Sequence, residues 1–173
     1  MLKLYYTLQK TDSHAFLFHV LETYHGVSEQ PLFYGEHKKP YFKDDPVFFS
    51  ISHSGKLTAV AVSDTPVGLD VEDTERTGNY TAVFNRLAPE ERAEITSFPD
   101  FLTHWTAKES YVKYCGKTLA ALYEKLTYTH RTLALNGTPL AVKLQIGALA
   151  EGKYVYSLCA EAKERAEISE VVL

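Results

Sequence analysis

The run Val67-Gly68-Leu69-Asp70-Val71-Glu72 alternates without a break between aliphatic and other residues. A period of two dictates an extended strand with two unlike faces. Val67, Leu69 and Val71 point one way, and Gly68, Asp70 and Glu72 share the wet face opposite. Two carboxylates on one strand face can reach one point. Such a pair is either a solvated sheet edge or part of a cation site. Gly68 beside them, with no side chain, leaves room for a ligand to approach.

A second segment supplies a third carboxylate. Residues 101–115 read as a helix, capped by Asp100 and stopped by Gly116. At about 100° per residue, Phe101, Leu102, Trp105, Val112 and Cys115 form an apolar arc. Thr103, Thr106, Ser110 and Tyr114 form the polar side. Glu109 and Lys108 both fall on the apolar arc, and Lys113 sits at its edge. A carboxylate aimed at the interior is costly unless it is paired or bound to a metal. One reading pairs Glu109 with Lys113, at the favoured spacing of four. The other adds Glu109 to Asp70 and Glu72 as ligands of a hard cation. Magnesium suits such a set, because it takes few protein carboxylates and completes its shell with water and phosphate oxygens.

Composition narrows the classes. The chain has 173 residues, 45% of them hydrophobic and 23% charged, which suits a globular protein of one domain or two small ones. A formal charge of −4 argues against general nucleic-acid binding. No apolar run approaches the roughly 18–20 residues of a membrane span. The first residues lack the apolar stretch and cleavage site of a signal peptide. A cytoplasmic protein without membrane contacts is expected. Cys115 and Cys159 form no Cys-x-x-Cys pair, so a zinc or dithiol site has no support, and Cys115 is read as a packing residue. The first of the five arginines is Arg76, so any phosphate bound before it meets lysine, histidine or backbone.

The order of elements is α+β. A strand at 2–8 precedes a helix from Ser13 to about His25, which Gly26 ends. Residues 31–45 are irregular. A strand at 47–51 leads into a Ser52-His53-Ser54-Gly55 turn, and another spans 57–63. After Thr65-Pro66 come the carboxylate strand, a helix opened by Pro89, and the helix at 101–115. Strands follow at 126–135, 140–146 and 153–159, with turns at Asn136-Gly137 and Glu151-Gly152. The order repeats loosely about Thr65-Pro66, suggesting halves at 1–65 and 66–173, the second carrying the metal site.

Three blocks together resemble the 4′-phosphopantetheinyl transferases of the surfactin-synthetase-activating type. Lys39-Pro40 with Phe49-Ser50-Ile51-Ser52-His53-Ser54-Gly55 resembles the first. Gly68-Leu69-Asp70-Val71-Glu72 resembles the Gly-x-Asp-x-Glu block. Trp105-Thr106-Ala107-Lys108-Glu109, Lys113 and Gly116 resemble Trp-x-x-Lys-Glu-x-x-x-Lys-x-x-Gly. Arg86 and Pro89-Glu90-Glu91 are similar to a weaker block between them. The resemblance covers about residues 38–119.

The resemblance implies two similar α+β halves in a pseudo-twofold arrangement, with the site in the cleft between them. It implies transfer of phosphopantetheine from coenzyme A to a serine of a carrier protein. Magnesium would be held by Asp70, Glu72 and Glu109. Lys39, Ser52 and His53 would bind the nucleotide end, and Lys113 would neutralise the departing phosphate. Lys108 would assist Lys113 or support the fold, and Glu109 doubles as proton acceptor. Larger members carry basic residues in the N-terminal helix; here it has no lysine or arginine, which leaves Lys10, His14 or Lys43 to substitute. A chain that forms its own cleft is expected to be a monomer. The competing readings are a relative that binds coenzyme A or carrier without chemistry, an unrelated metal-dependent phosphotransferase or nuclease, and a structural module.

Overall fold

The computed structural model describes residues 1–43, 46–76, 80–122, 125–161 and 165–173. The chain opens with β1 (Leu2–Thr7), α1 (Ser13–His25), β2 (Phe33–Tyr34), β3 (Pro40–Tyr41), β4 (Phe48–Ser54) and β5 (Leu57–Ser63). Next come β6 (Val67–Asp73), α2 (Thr81–Phe84), α3 (Pro89–Glu94), α4 (Phe98–Cys115) and α5 (Leu119–Leu122). It closes with β7 (Leu126–Thr129), β8 (Thr132–Leu135), β9 (Thr138–Pro139), β10 (Lys143–Leu149), β11 (Tyr154–Ala160) and β12 (Glu167–Glu170). The mixed α+β character expected from the sequence is present. No helix among the described residues is long and apolar enough to cross a membrane.

Two sheets form the centre, in orders β12-β1-β5-β4 and β10-β11-β6. Leu4, Leu57, Ala59 and Ala61 from the first meet Val67, Leu69, Val71 and Leu158 from the second in one buried cluster. The other face of the first sheet, with Tyr5, Val60 and Val62, packs on Phe16, Leu17, Val20 and Leu21 of α1. The other face of the second sheet packs on α4, whose far side meets Leu126, Tyr128 and Leu133 of the β7–β8 hairpin. The layers therefore run helix, sheet, sheet, helix. The last strand returns to the first sheet, where β12 lies parallel to β1. Residues 66–173 thus contribute a strand to the sheet built mainly from residues 1–65.

Several boundaries differ from the sequence reading, each for a local reason. Asp12 rather than Ser13 caps α1, accepting from the backbone of His14 and Ala15 at 2.9 and 3.1 Å. Ser97 rather than Asp100 caps the long helix, with Pro99 in its first turn, so α4 starts three residues earlier than expected. Strand β4 runs on through Ser52, His53 and Ser54, whose backbones pair with Ala59, Thr58 and Leu57. The turn lies beyond them, so these residues do not form an amide nest for an anion. The expected strand at 126–135 is a hairpin, turning at His130 and Arg131 with φ of 50° and 62°. The Asn136-Gly137 turn is present, with φ of 50° and 78°.

Two larger corrections concern faces. The Gly68-Asp70-Glu72 face is not wet: those residues are buried beneath α4. A Cβ on Gly68 would run into the Ser110 carbonyl and the Tyr114 backbone. The missing side chain thus admits the helix, not a ligand. The supposed polar side of α4 is its sheet-facing side, where Thr106 and Ser110 are fully buried. Both are small enough for close approach, and their hydroxyls bond to carbonyls one turn back at 3.3 and 2.9 Å. Thr106 also bonds the Ser157 hydroxyl of β11 at 2.8 Å.

Candidate active site

The carboxylates lie on a seam between the two sheets. β4 and β6 are edge strands of different sheets and share no backbone ladder. Three serines at alternate positions of β4 make the join. Ser50, Ser52 and Ser54 accept from the backbone N–H groups of Leu69, Val71 and Asp73 at 2.9, 3.2 and 3.0 Å. Two of these hydroxyls donate onward. Ser52 donates to Asp70 Oδ1 at 3.1 Å, and Ser54 to Glu72 Oε2 at 2.9 Å. The same side chains therefore clamp the strands and orient the acids. Ser54 was given no role in the sequence reading, although its alternation with Ser50 and Ser52 was the available signal.

Each carboxylate also meets a cation. Lys113 on α4 donates from Nζ to Asp70 Oδ1 at 2.7 Å and to Ser52 Oγ at 2.9 Å. Arg76 donates to Glu72 Oε2 at 2.8 Å; its place four residues beyond Glu72 was visible in the sequence but unused. Asp70 Oδ2 is different: it is buried and has no hydrogen-bond partner. Burial pushes the Asp70 carboxyl above the usual range, opposed by Lys113.

Glu109 faces this cluster from α4. Burial raises its carboxyl to about 7, and the charges of Asp70 and Glu72 push the same way while Lys113 opposes. Glu109 is half-buried and within electrostatic reach of Asp70 and Glu72. Glu109 makes no ion pair with Lys113; that lysine goes to Asp70.

The residues fit a hard cation by their chemistry. All three side chains are carboxylates, and the orphaned Asp70 Oδ2 offers a buried acceptor. They do not yet stand at metal-ligand spacing. No group of three His, Cys, Asp or Glu does so among the described residues.

The other expected residues divide. Lys39 lines a cavity of about 240 Å³ together with Lys38, Lys113 and Lys117. Its ammonium donates to the Val67 carbonyl at 2.9 Å, and burial lowers its pKa to about 8. Lys39 and Lys113 thus share one cationic hollow beside Asp70. His53, on the opposite face of β4 from Ser52, is exposed and lines a different cavity with Lys10 and Lys56. Of the proposed substitutes for N-terminal basic residues, Lys10 is the one beside His53. Lys43 instead stands over the Phe33 ring, 6.0 Å from its centroid.

Lys108 is not brought to the cluster. It is 1% exposed, and its ammonium lies 3.1 and 3.2 Å from the Glu91 carboxylate oxygens. Glu91 also accepts from the backbone of Tyr128 and Ala88. Lys108 therefore joins α4 to α3 rather than reaching a ligand. Cys159 is buried, which pushes its thiol up to about 12 and makes it inert packing.

Comparison with known proteins points to one family. The chain is 34% identical to a 4′-phosphopantetheinyl transferase of Bacillus subtilis over 92 residues, 49% of this chain and 41% of that protein. It is 33% identical over 87 residues to the 4′-phosphopantetheinyl transferase gsp of Aneurinibacillus migulanus, 47% of this chain and 36% of that protein. With the 4′-phosphopantetheinyl transferase AcpT of Escherichia coli strain K12 it shares 32% identity over 122 residues, 65% and 63% of the two chains. The chain thus spans less than half the length of the first two relatives. The model of the 4′-phosphopantetheinyl transferase superfamily matches residues 66–159, more than half of the chain and the stretch that holds Asp70, Glu72, Glu109 and Lys113. The chain belongs to that superfamily.

Proposed function

We propose that this protein transfers 4′-phosphopantetheine from coenzyme A to a serine hydroxyl of an apo carrier protein, releasing adenosine 3′,5′-bisphosphate. The observation that carries this is the juxtaposition of Glu109, an under-satisfied Asp70 and a lysine-lined hollow. Phosphoryl transfer needs those parts: a proton acceptor, a place for cationic charge, and donors for phosphate oxygens.

Magnesium, held by Asp70, Glu72 and Glu109, would supply Lewis-acid charge to the pyrophosphate. The chain's own groups do the rest. The carrier serine oxygen forms a bond to the β-phosphorus while the anhydride bond to the nucleotide side breaks. Its proton passes to Glu109, directly or through water. Burial and the neighbouring carboxylates raise the affinity of Glu109 for that proton, while a bound cation would lower it. Lys113 would offset the negative charge that grows on the departing phosphate, and Ser52 holds Lys113 and Asp70 in place. Lys39 completes the phosphate hollow, and the cavity of Lys10, His53 and Lys56 suits a further phosphate.

A binding-only relative is the second reading, because Lys113 and Arg76 already neutralise Asp70 and Glu72. One assay separates the two. The protein is incubated with coenzyme A, magnesium and apo carrier, and the carrier is weighed by mass spectrometry. Transfer adds one phosphopantetheine, and Glu109→Gln slows it by roughly 10²- to 10⁴-fold. Coenzyme binding with no mass gain on any carrier favours the second reading; a Glu109→Gln variant at normal speed removes Glu109 from both of its roles.

A further inference from the structure

The strand that carries the acids ends in a tight turn. The Arg76 N–H donates to the Asp73 carbonyl at 3.2 Å, and the Glu75 N–H donates to Asp73 Oδ1 at 2.9 Å. An aspartate that accepts from the backbone two residues on is a common device for reversing a chain. Thr74 pins the turn in place: its N–H and its hydroxyl each donate to the Lys153 carbonyl at 2.9 Å. Along a strand, four residues span about 13 Å. The reversal closes that gap and returns Arg76 to Glu72, where its Nη1 donates to Oε2 at 2.8 Å. The contact is therefore built by the turn.

The two strand acids are neutralised in different ways. Asp70 gives Oδ1 to Ser52 and Lys113 at 3.1 and 2.7 Å and keeps Oδ2 without a hydrogen bond. It can offer Oδ2 to a cation with Lys113 still in place. Glu72 spends Oε2 on Ser54 and Arg76 at 2.9 and 2.8 Å. Two donors use both lone pairs of that oxygen, so it is closed to a cation until one of them leaves. Ser54 is buried and also accepts from the Asp73 N–H, which fixes it. The side chain of Arg76 is 53% exposed, against 31% for Lys113, so Arg76 is the donor that can leave. A guanidinium keeps its charge at any ordinary pH and cannot step aside by losing a proton. It yields Glu72 only by swinging into water, and while it stays its charge opposes a second cation on the same carboxylate.

We propose that Arg76 is an exchangeable counter-ion, which competes with a divalent cation for the Glu72 carboxylate and so sets the affinity for that cation. The inference rests on the reading of Asp70, Glu72 and Glu109 as cation ligands. Among the described residues these carboxylates do not stand at metal-ligand spacing, and each strand acid is turned instead to its own basic partner. The pairing of Glu72 with Arg76 is then no sign of a site without chemistry; it tunes how readily the site takes its cation. Arg76 is a positioning residue, acting through Glu72 and not on the reacting atoms.

The probe is Mn²⁺, a hard cation that carboxylates accept as they do magnesium. Its binding to the full chain is read from the loss of the free-ion signal in electron paramagnetic resonance, for the wild type, Arg76→Gln and Arg76→Lys. Arg76 lies on an exposed turn, so neither change disturbs the core. Arg76→Gln should bind Mn²⁺ ~3-fold or more tighter than the wild type. Arg76→Lys restores the charge and should stay closer to the wild type than to Arg76→Gln. Unchanged or weaker binding by Arg76→Gln, or equal gains in both variants, overturns the proposal and leaves the cation reading standing. No Mn²⁺ bound by any of the three overturns both.

Discussion

Helix α4 carries two lysine–carboxylate pairs five residues apart, and they are opposites. Lys108 and Glu91 have side chains 2% and 1% exposed, and Glu91 also caps two backbone N–H groups. Lys113 and Asp70 are 31% and 8% exposed, and one Asp70 oxygen has no partner. A buried charge is stable only when its hydrogen bonds are complete. The first pair meets that condition and works as a structural pin between α3 and α4. The second fails it on one side, next to Glu109 and a lysine-lined hollow. Burial and charge are common to both; unfinished satisfaction distinguishes the candidate site.

The sharpest way to break this contrast is Glu91→Ala. It removes the carboxylate that Lys108 and two backbone N–H groups share in the interior. Chemical denaturation should show a loss of about 3–5 kcal/mol. Asp70→Asn should behave in the reverse sense. The amide keeps the size and an acceptor oxygen for Ser52 and Lys113, so the stability loss should be smaller than for Glu91→Ala. Phosphopantetheine transfer, read by carrier mass, should still fall by roughly 10²-fold or more. Equal stability costs for the two variants would erase the distinction between pin and site.

The smallest effect is a pH slope. The Glu109 carboxyl titrates near 7 in the folded chain, above its ordinary 4.5. The native state therefore holds a proton that the unfolded chain has released. That contribution is fully present below the unfolded value and is lost as the pH rises through about 7. In magnesium-free buffer, denaturation midpoints of the wild type should decline across this window relative to Glu109→Gln. Parallel profiles would place Glu109 in contact with water rather than with Asp70 and Glu72.

Periodicity carried much of this into the sequence. The two-residue alternation of Val67–Glu72 is a rigid consequence of backbone geometry, and it holds. Side-chain size misled where polarity stood in for exposure. Thr106, Ser110 and Gly68 looked like a wet face because they are polar or bare. They are where helix and sheet approach most closely. Lys108 was correctly turned inward, but its partner sits 17 positions away on α3, a distance no local pattern encodes. The same holds for β12, whose pairing with β1 joins opposite ends of the chain. Ser50 and Ser54 were legible only to a reader who continued β4 through His53.

The serine seam has a consequence for the acids themselves. Ser52 and Ser54 tie β6 to β4 with the same hydroxyls that hold Asp70 and Glu72. A slip of one position would bring Ile51 and His53 to β6 instead, and both acids would lose their donors together. The acids are therefore set only when the sheets dock in register. The arrangement of the two acids is thus a property of the docked pair of sheets and of neither sheet alone.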